Sequence, residues 1–412
     1  MAFRTFARVA VLLVLPLWTV PAGAQGVPAA DPVFERTVEL VEKNFFSADA
    51  LPAFRDTVAE VRAETAAGGP VSRDEAIGRI LASLKATHTV RYTPDSVDYY
   101  ELADVFSHAI RSDVRRLFPP DGKVTYEGIG IATKIIDGKL FVTDVYDGGP
   151  GAQAGLMAGD EILSADGAPF AEIGSFKGKA GVIVRLQIRR SADAAPVGAS
   201  VKVELLQPLE AFLKAITDSV RVIERDGHKI GVIHLWSYTS DDVTRILSEE
   251  IGGGRVKDVD GIVLDLRSRW GGAPADAAEM FVGGTGDMIA TDRDGEVEYV
   301  NTRWHKPVVA VIDEGTRSGM EILAYALKKN GIPLVGVRTA AAVLAGTGYI
   351  LPDDSLLVLA VADVHLDGAR LEGVGVSPDI VVPFDVRYAA GADPQLDAAL
   401  AEMSRRLAGG VN

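Results

Sequence analysis

The chain has no cysteine. That absence excludes thiolate nucleophiles, zinc–cysteine sites, iron–sulfur clusters and disulfides together, and with them the lipid-bearing cysteine of a bacterial lipoprotein. Histidine is scarce: His88, His108, His228, His234, His305 and His365 are the full set, and no pair stands in an H-E-x-x-H arrangement, so there is no zinc-hydrolase motif. Basic residues are outnumbered, 42 Lys and Arg against 57 Asp and Glu, for a net charge of −15. A chain this acidic is a poor partner for phosphate backbones, and no nucleic acid is expected as a partner. Long apolar runs are missing as well. The longest candidate, Val9 to Val20, is interrupted by Pro16 and falls short of the roughly 20 residues that a spanning helix needs. No stable membrane anchor is expected.

The surroundings of that run give it another meaning. Arg4 and Arg8 precede it, and Ala22-Gly23-Ala24 follows as a small-residue cleavage pattern. Residues 1–24 therefore read as a signal peptide, with a mature start near Gln25 and a destination in a bacterial periplasm or outside the cell. The remaining composition is that of a globular protein, 48% apolar and 24% charged, with length for two or three domains.

Three blocks follow. Residues 25–119 read as a helical region: Pro32 to Asn44, Leu51 to Ala66 and Arg73 to Ala86 carry apolar residues at helical spacing. Thr87-His88-Thr89 comes next, then an extended Val-Arg-Tyr. In residues 120–208 glycine becomes frequent and short β-like runs appear: Leu140 to Val145, Glu161 to Ser164, Val182 to Ile188 and Val201 to Leu206. This block resembles a PDZ domain, through the Gly128-Ile129-Gly130-Ile131 loop, the Pro150…Ala154-Gly155-Leu156 turn, and Gly159-Asp160-Glu161-Ile162-Leu163 followed by Asp166-Gly167. The resemblance implies that Gly128, Ile129, Gly130 and Ile131 offer N–H groups to a peptide's terminal carboxylate, while the peptide adds as a strand to the sheet edge.

Residues 209–412 alternate strand and helix. Lys229 to Trp236, Gly261 to Leu266, Pro307 to Asp313 and Pro333 to Val337 read as strands. Ser240 to Ile251, Pro274 to Phe281 and Met320 to Lys329 read as helices. Such alternation predicts an α/β core, a parallel sheet of βαβ units flanked by helices. Ser318 stands in the turn after the third strand, where open α/β sheets place their ligands and a helix end offers free N–H groups. On this turn alone, Ser318 reads as a helix cap in preference to a nucleophile.

The wider pattern resembles the carboxy-terminal-processing (tail-specific) serine peptidase family S41. The family's nucleophile turn appears as Ser318-Gly319-Met320-Glu321, its Asp-Leu-Arg segment as Asp265-Leu266-Arg267-Ser268-Arg269-Trp270-Gly271-Gly272, and its closing signature as Glu372-Gly373-Val374-Gly375-Val376-Ser377-Pro378-Asp379. One departure stands out. Many members pair the serine with a lysine about 25 residues on, and Ala342 occupies that place here. The Thr87-His88-Thr89 motif and Glu372 instead resemble the tricorn-like branch, which uses histidine and glutamate.

The resemblance implies a catalytic set of Ser318, His88 and Glu372. His88 is able to take the serine proton at neutral pH, and Glu372 to fix its tautomer. Gly319 with Gly271 or Gly272 is the expected oxyanion hole. The function implied is an exported serine endopeptidase that cleaves polypeptides by acyl-enzyme chemistry with no metal and no cofactor, its polypeptide substrate held through the C-terminus by the PDZ-like module. The other reading is a catalytically silent protein that binds peptides in the PDZ-like groove. A histidine base leads to a rate that rises through a pKa of roughly 6–7.5. Arg317 reads either as a holder of a substrate carboxylate or as a solvated surface charge. His234 reads as a core or cleft residue, and the oligomeric state is not written in the sequence.

Overall fold

The computed structural model describes residues 31–267, 269–283, 288–301 and 303–409. The expected signal peptide at 1–24 and Ser268 of the Asp265–Gly272 segment lie outside them.

Among the described residues a six-stranded sheet forms the centre, in the order Ile380–Val381, Leu334–Gly336, Val308–Ile312, Gly261–Asp265, His228–His234, Arg221–Arg225. The pairings are parallel except the outermost, where His228–His234 runs antiparallel to Arg221–Arg225. Side chains of a strand point alternately to opposite faces, and both faces are covered. Val308, Ala310 and Ile312 enter the main core, together with Leu323, Ala324 and Leu327 of the helix Gly319–Lys329 and Val243 and Leu247 of the helix Asp242–Gly252. Val309 and Val311 enter a second core against Ala399, Leu400 and Met403 of the helix Pro394–Ala408. Strands buried on both faces read as unbroken apolar runs, which is why these four were visible in the sequence. The closing helix was not among the expected elements.

The expected helix at Pro274 to Phe281 is a correction. Residues 275–278 form turns, and only Glu279–Val282 is helical. The loop ahead of it is bound elsewhere: Tyr238 N donates to Gly271 O at 2.9 Å and Arg269 N to Trp236 O at 2.9 Å. Helix formation is delayed until the chain leaves those contacts.

The N-terminal helices Pro32–Asn44, Leu51–Ala66 and Arg73–Ala82 share a core with Leu344, Leu357, Leu359 and Ala360. These last four belong to the antiparallel strands Leu344–Ile350 and Leu356–Asp363, on whose edge Val90–Tyr92 adds as a third strand. That pairing carries His88 towards the central sheet. Residues 131–202 form a separate antiparallel sheet of five strands, Ile131–Ile136, Lys139–Val145, Glu161–Ala165, Ile183–Arg189 and Val197–Lys202. It has its own core around Ile131, Val142, Leu156, Phe176, Leu186 and Val201. The strands Tyr126–Gly128 and Glu204–Leu206 pair where the chain enters and leaves it.

Candidate active site

Four loops meet at the carboxyl edge of the parallel strands, where open α/β sheets gather their ligands. Ser318 follows Val308–Ile312, Gly271 and Gly272 follow Gly261–Asp265, Thr239 follows His228–His234, and Ala341 to Val343 follow Leu334–Gly336. Ser318 opens the helix Gly319–Lys329 with φ 55° and ψ −128°. Positive φ is disfavoured for a residue with a Cβ, and the neighbourhood shows what holds it. Ser318 N donates to Ala342 O at 2.8 Å and to Glu321 Oε2 at 3.2 Å. Glu321 is fully buried, and its carboxylate also accepts from Ala341 N at 2.9 Å, Ala342 N at 2.7 Å and the Thr339 hydroxyl. Burial raises the Glu321 carboxyl above its ordinary value, against the lowering effect of these donors. Ala342, at the position where many family members carry a lysine, thus holds the Ser318 loop through its backbone.

The N–H of Ser318 is engaged, and the first helical N–H, that of Gly319, has no intrahelical acceptor. Gly271 lies against this pair. A Cβ placed on Gly271 would fall 2.6 Å from Ser318 Cβ and 3.0 Å from Gly319 N, and one on Gly319 would fall 2.5 Å from Ala273 N. Only glycine permits that approach of two backbones.

Ser318, Gly271, Gly272, Thr87 and His88 line one cavity of about 190 Å³. Its remaining wall is mostly apolar, including Tyr92, Leu102, Phe106, Trp270, Leu344 and Val358. Burial in this wall, with the Arg317 charge nearby, lowers His88 to about 4. That departs from the ordinary histidine titration expected from the sequence, and the cause is desolvation of the imidazolium. Among the described residues no hydrogen bond joins Ser318 to His88; they share the cavity without that contact.

Glu372 also meets His88 differently from the direct pair that the sequence suggested. Its carboxylate accepts from Thr87 N at 3.2 Å, from Thr87 Oγ1 at 3.0 Å and from Val343 N at 2.8 Å. Thr87 Oγ1 in turn lies 3.1 Å from His88 Nδ1. A hydroxyl that donates to the carboxylate has its lone pairs left for Nδ1–H. The arrangement favours the tautomer with Nε2 free as a base. Thr87 was quoted only as part of a motif, and nothing in its spacing marked it as the bridge.

The loop bearing Gly271 is anchored from below. Glu101, fully buried, accepts from Trp270 Nε1 at 2.6 Å, from Arg269 Nη2 at 2.9 Å and from the Tyr146 hydroxyl. Arg269 also binds Asp98 at 2.5 Å. His234 stacks against Trp236 with ring centroids 3.9 Å apart, and its Nε2 lies 2.6 Å from Arg267 O.

The PDZ-like groove is nearly full. Gly128, Ile129, Gly130 and Ile131 line a cavity of only about 10 Å³, whose other walls include Val97, Tyr126, Phe170 and Phe176. Val97 N, at the start of the helix Val97–Val105, donates to Glu172 Oε2 at 3.2 Å, while the other oxygen of Glu172 accepts from Thr133 Oγ1 at 2.6 Å.

Comparison with known proteins agrees with this architecture. Residues 229–382 match the model of peptidase family S41, and residues 128–203 that of the PDZ domain. The carboxy-terminal processing protease CtpA of Bacillus subtilis is 26% identical over 295 residues, 68% of this chain and 61% of that protein. Tricorn protease homolog 1 of Streptomyces coelicolor is 30% identical over 269 residues, 60% of this chain and 24% of that protein. The chain thus spans less than two thirds of the length of either relative. The crystal structure of the tricorn protease, 16% identical, matches in fold with a TM-score of 0.50 over 91% of this chain and 36% of that one. The similarity therefore places a peptidase family S41 domain at residues 229–382 and a PDZ domain at residues 128–203.

Proposed function

We propose that the protein is an exported serine endopeptidase in which Ser318 is the nucleophile, His88 the general base, and Glu372 the carboxylate that orients His88 through Thr87. The observation that carries this reading is the shared cavity: Ser318, held at positive φ against the Gly271 backbone, opens on the same space as His88. On this reading, His88 Nε2 removes the hydroxyl proton as Ser318 Oγ attacks a peptide carbonyl. The tetrahedral oxyanion is received by Gly319 N–H and an N–H of Gly271 or Gly272. His88 then returns the proton to the leaving amine, and water hydrolyses the acyl-enzyme by the same path. Export rests on the sequence of residues 1–24. The PDZ module receives the C-terminal segment of the substrate once its groove opens.

The second reading, a silent peptide binder, draws on the missing Ser318–His88 hydrogen bond. Turnover of an unstructured polypeptide distinguishes the two. Ser318→Ala and His88→Ala are each expected to remove nearly all activity, because members of such a set act as a unit. Full activity in His88→Ala would remove the histidine assignment, and no turnover by the unaltered protein would favour the silent binder.

A further inference from the structure

Arg317 precedes the nucleophile directly and lines the cavity. Its guanidinium lies over the Trp270 ring, 5.2 Å from the centroid. Trp270 is itself fixed, through its Nε1 bond to Glu101 at 2.6 Å and a perpendicular contact with Tyr92 at 6.2 Å. Neighbouring arginines of the same loop system are saturated: Arg267 binds Asp265 and Asp393, and Arg269 binds Asp98 and Glu101. Arg317 differs. Among the described residues it has no carboxylate within ion-pairing distance and no side-chain hydrogen bond, in a chain with 57 acidic residues. Among the described residues no Asp or Glu lines the cavity, and Arg317 brings the lone permanent charge to its wall.

A guanidinium is a planar fork of donors whose geometry matches a carboxylate, and it stacks on aromatic faces without giving up those donors. Resting on the indole, Arg317 is held in place with its hydrogen-bonding edge uncommitted, one residue from the reacting oxygen. We infer that Arg317 is a specificity-determining residue that binds a carboxylate of the substrate beside the scissile bond. The apolar wall then takes a neighbouring apolar side chain. Two sources supply this chemistry: the substrate's own C-terminal carboxylate, which would set the cut close to the chain end, or an Asp or Glu side chain flanking the bond. This inference rests on the peptidase reading above.

The test is a matrix of kcat/KM values on the full chain. One pair of peptides differs only in a free or amidated C-terminus near the cut, and the other in Asp or Glu against Asn or Gln at positions flanking it. In the unaltered protein the carboxylate form of at least one pair is expected to be favoured about tenfold or more, the usual worth of a hydrogen bond to a charged group. The pair that responds identifies the source. In Arg317→Gln the ratio should fall to about one. In Arg317→Lys it should be intermediate, since an ammonium supplies charge without the fork. Equal rates within both pairs for the unaltered protein would overturn the inference whatever the variants do. A ratio unchanged in Arg317→Gln would overturn it as well. Labelling of Ser318 by a fluorophosphonate separates the two failures: a labelled enzyme indifferent to carboxylates refutes only the role of Arg317, whereas an unlabelled, inactive one refutes the peptidase reading.

Discussion

Single atoms decide much of this site. Gly271 meets Ser318 Cβ so closely that a methyl at 271 would stand 2.6 Å from it and from Arg317 O. Gly271→Ala is therefore expected to abolish turnover by moving backbone on both sides of the oxyanion position, while far-ultraviolet circular dichroism stays native. Retained activity would show that these loops are loose. Glu321 makes the complementary case. Four donors converge on its carboxylate, and glutamine at 321 would turn an N–H towards one of them. Leaving a buried donor unmatched costs about 1–3 kcal/mol, so Glu321→Gln should lower the urea midpoint and kcat together; an unchanged midpoint would contradict the role of this carboxylate in holding the loop. The sequence motif named Ser318 and Glu321 but not what joins them. Likewise Thr87 and Glu372 stand 285 positions apart, and no periodicity announces a hydroxyl bridge between two turns so distant in the chain.

At the scale of elements, the helix Val97–Val105 reaches both the PDZ groove and the loop of Gly271. Its first N–H meets Glu172 at the PDZ groove, and Glu101 within it holds Arg269 and Trp270 beside Gly271 and Ser318. The groove of the PDZ domain was legible from its glycine loop and turn signatures. Its filling was not, because Val97 comes from another block of the chain and carries no mark of docking there. Glu172→Ala, which releases both Val97 N–H and Thr133, should raise the full chain's affinity for a free C-terminal peptide severalfold in calorimetric titration, with the amidated peptide binding more weakly. Unchanged affinity would show that the latch does not limit binding. The strands of the central sheet were readable for a different reason: burial on both faces demands apolar runs. The helix expected at Pro274 begins late for a different reason: the chain just ahead of it is held by backbone hydrogen bonds to Trp236 and Tyr238, in the loop after His228–His234.

The whole molecule sets the conditions in which the site works. Five strands of the sheet run parallel and bring four loops to one edge, and the N-terminal region supplies the histidine from across the cavity. That enclosure desolvates His88, lowering it to about 4, first through burial and then through Arg317. The sign follows directly. A base with a depressed pKa is already unprotonated at weakly acidic pH, so kcat/KM should rise with pH through about 4 and be level by about pH 6. A midpoint at 6–7.5, as an unperturbed histidine would give, would mean that His88 is solvated in the free enzyme. The central claim, that Ser318 is a nucleophile activated by His88, is tested most directly by the rate of fluorophosphonate attachment, with the modified residue mapped by mass spectrometry. Attachment to Ser318 alone, lost in Ser318→Ala and slowed at least a hundredfold in His88→Ala, is the expected result. Attachment elsewhere, or at an unchanged rate without His88, would contradict it.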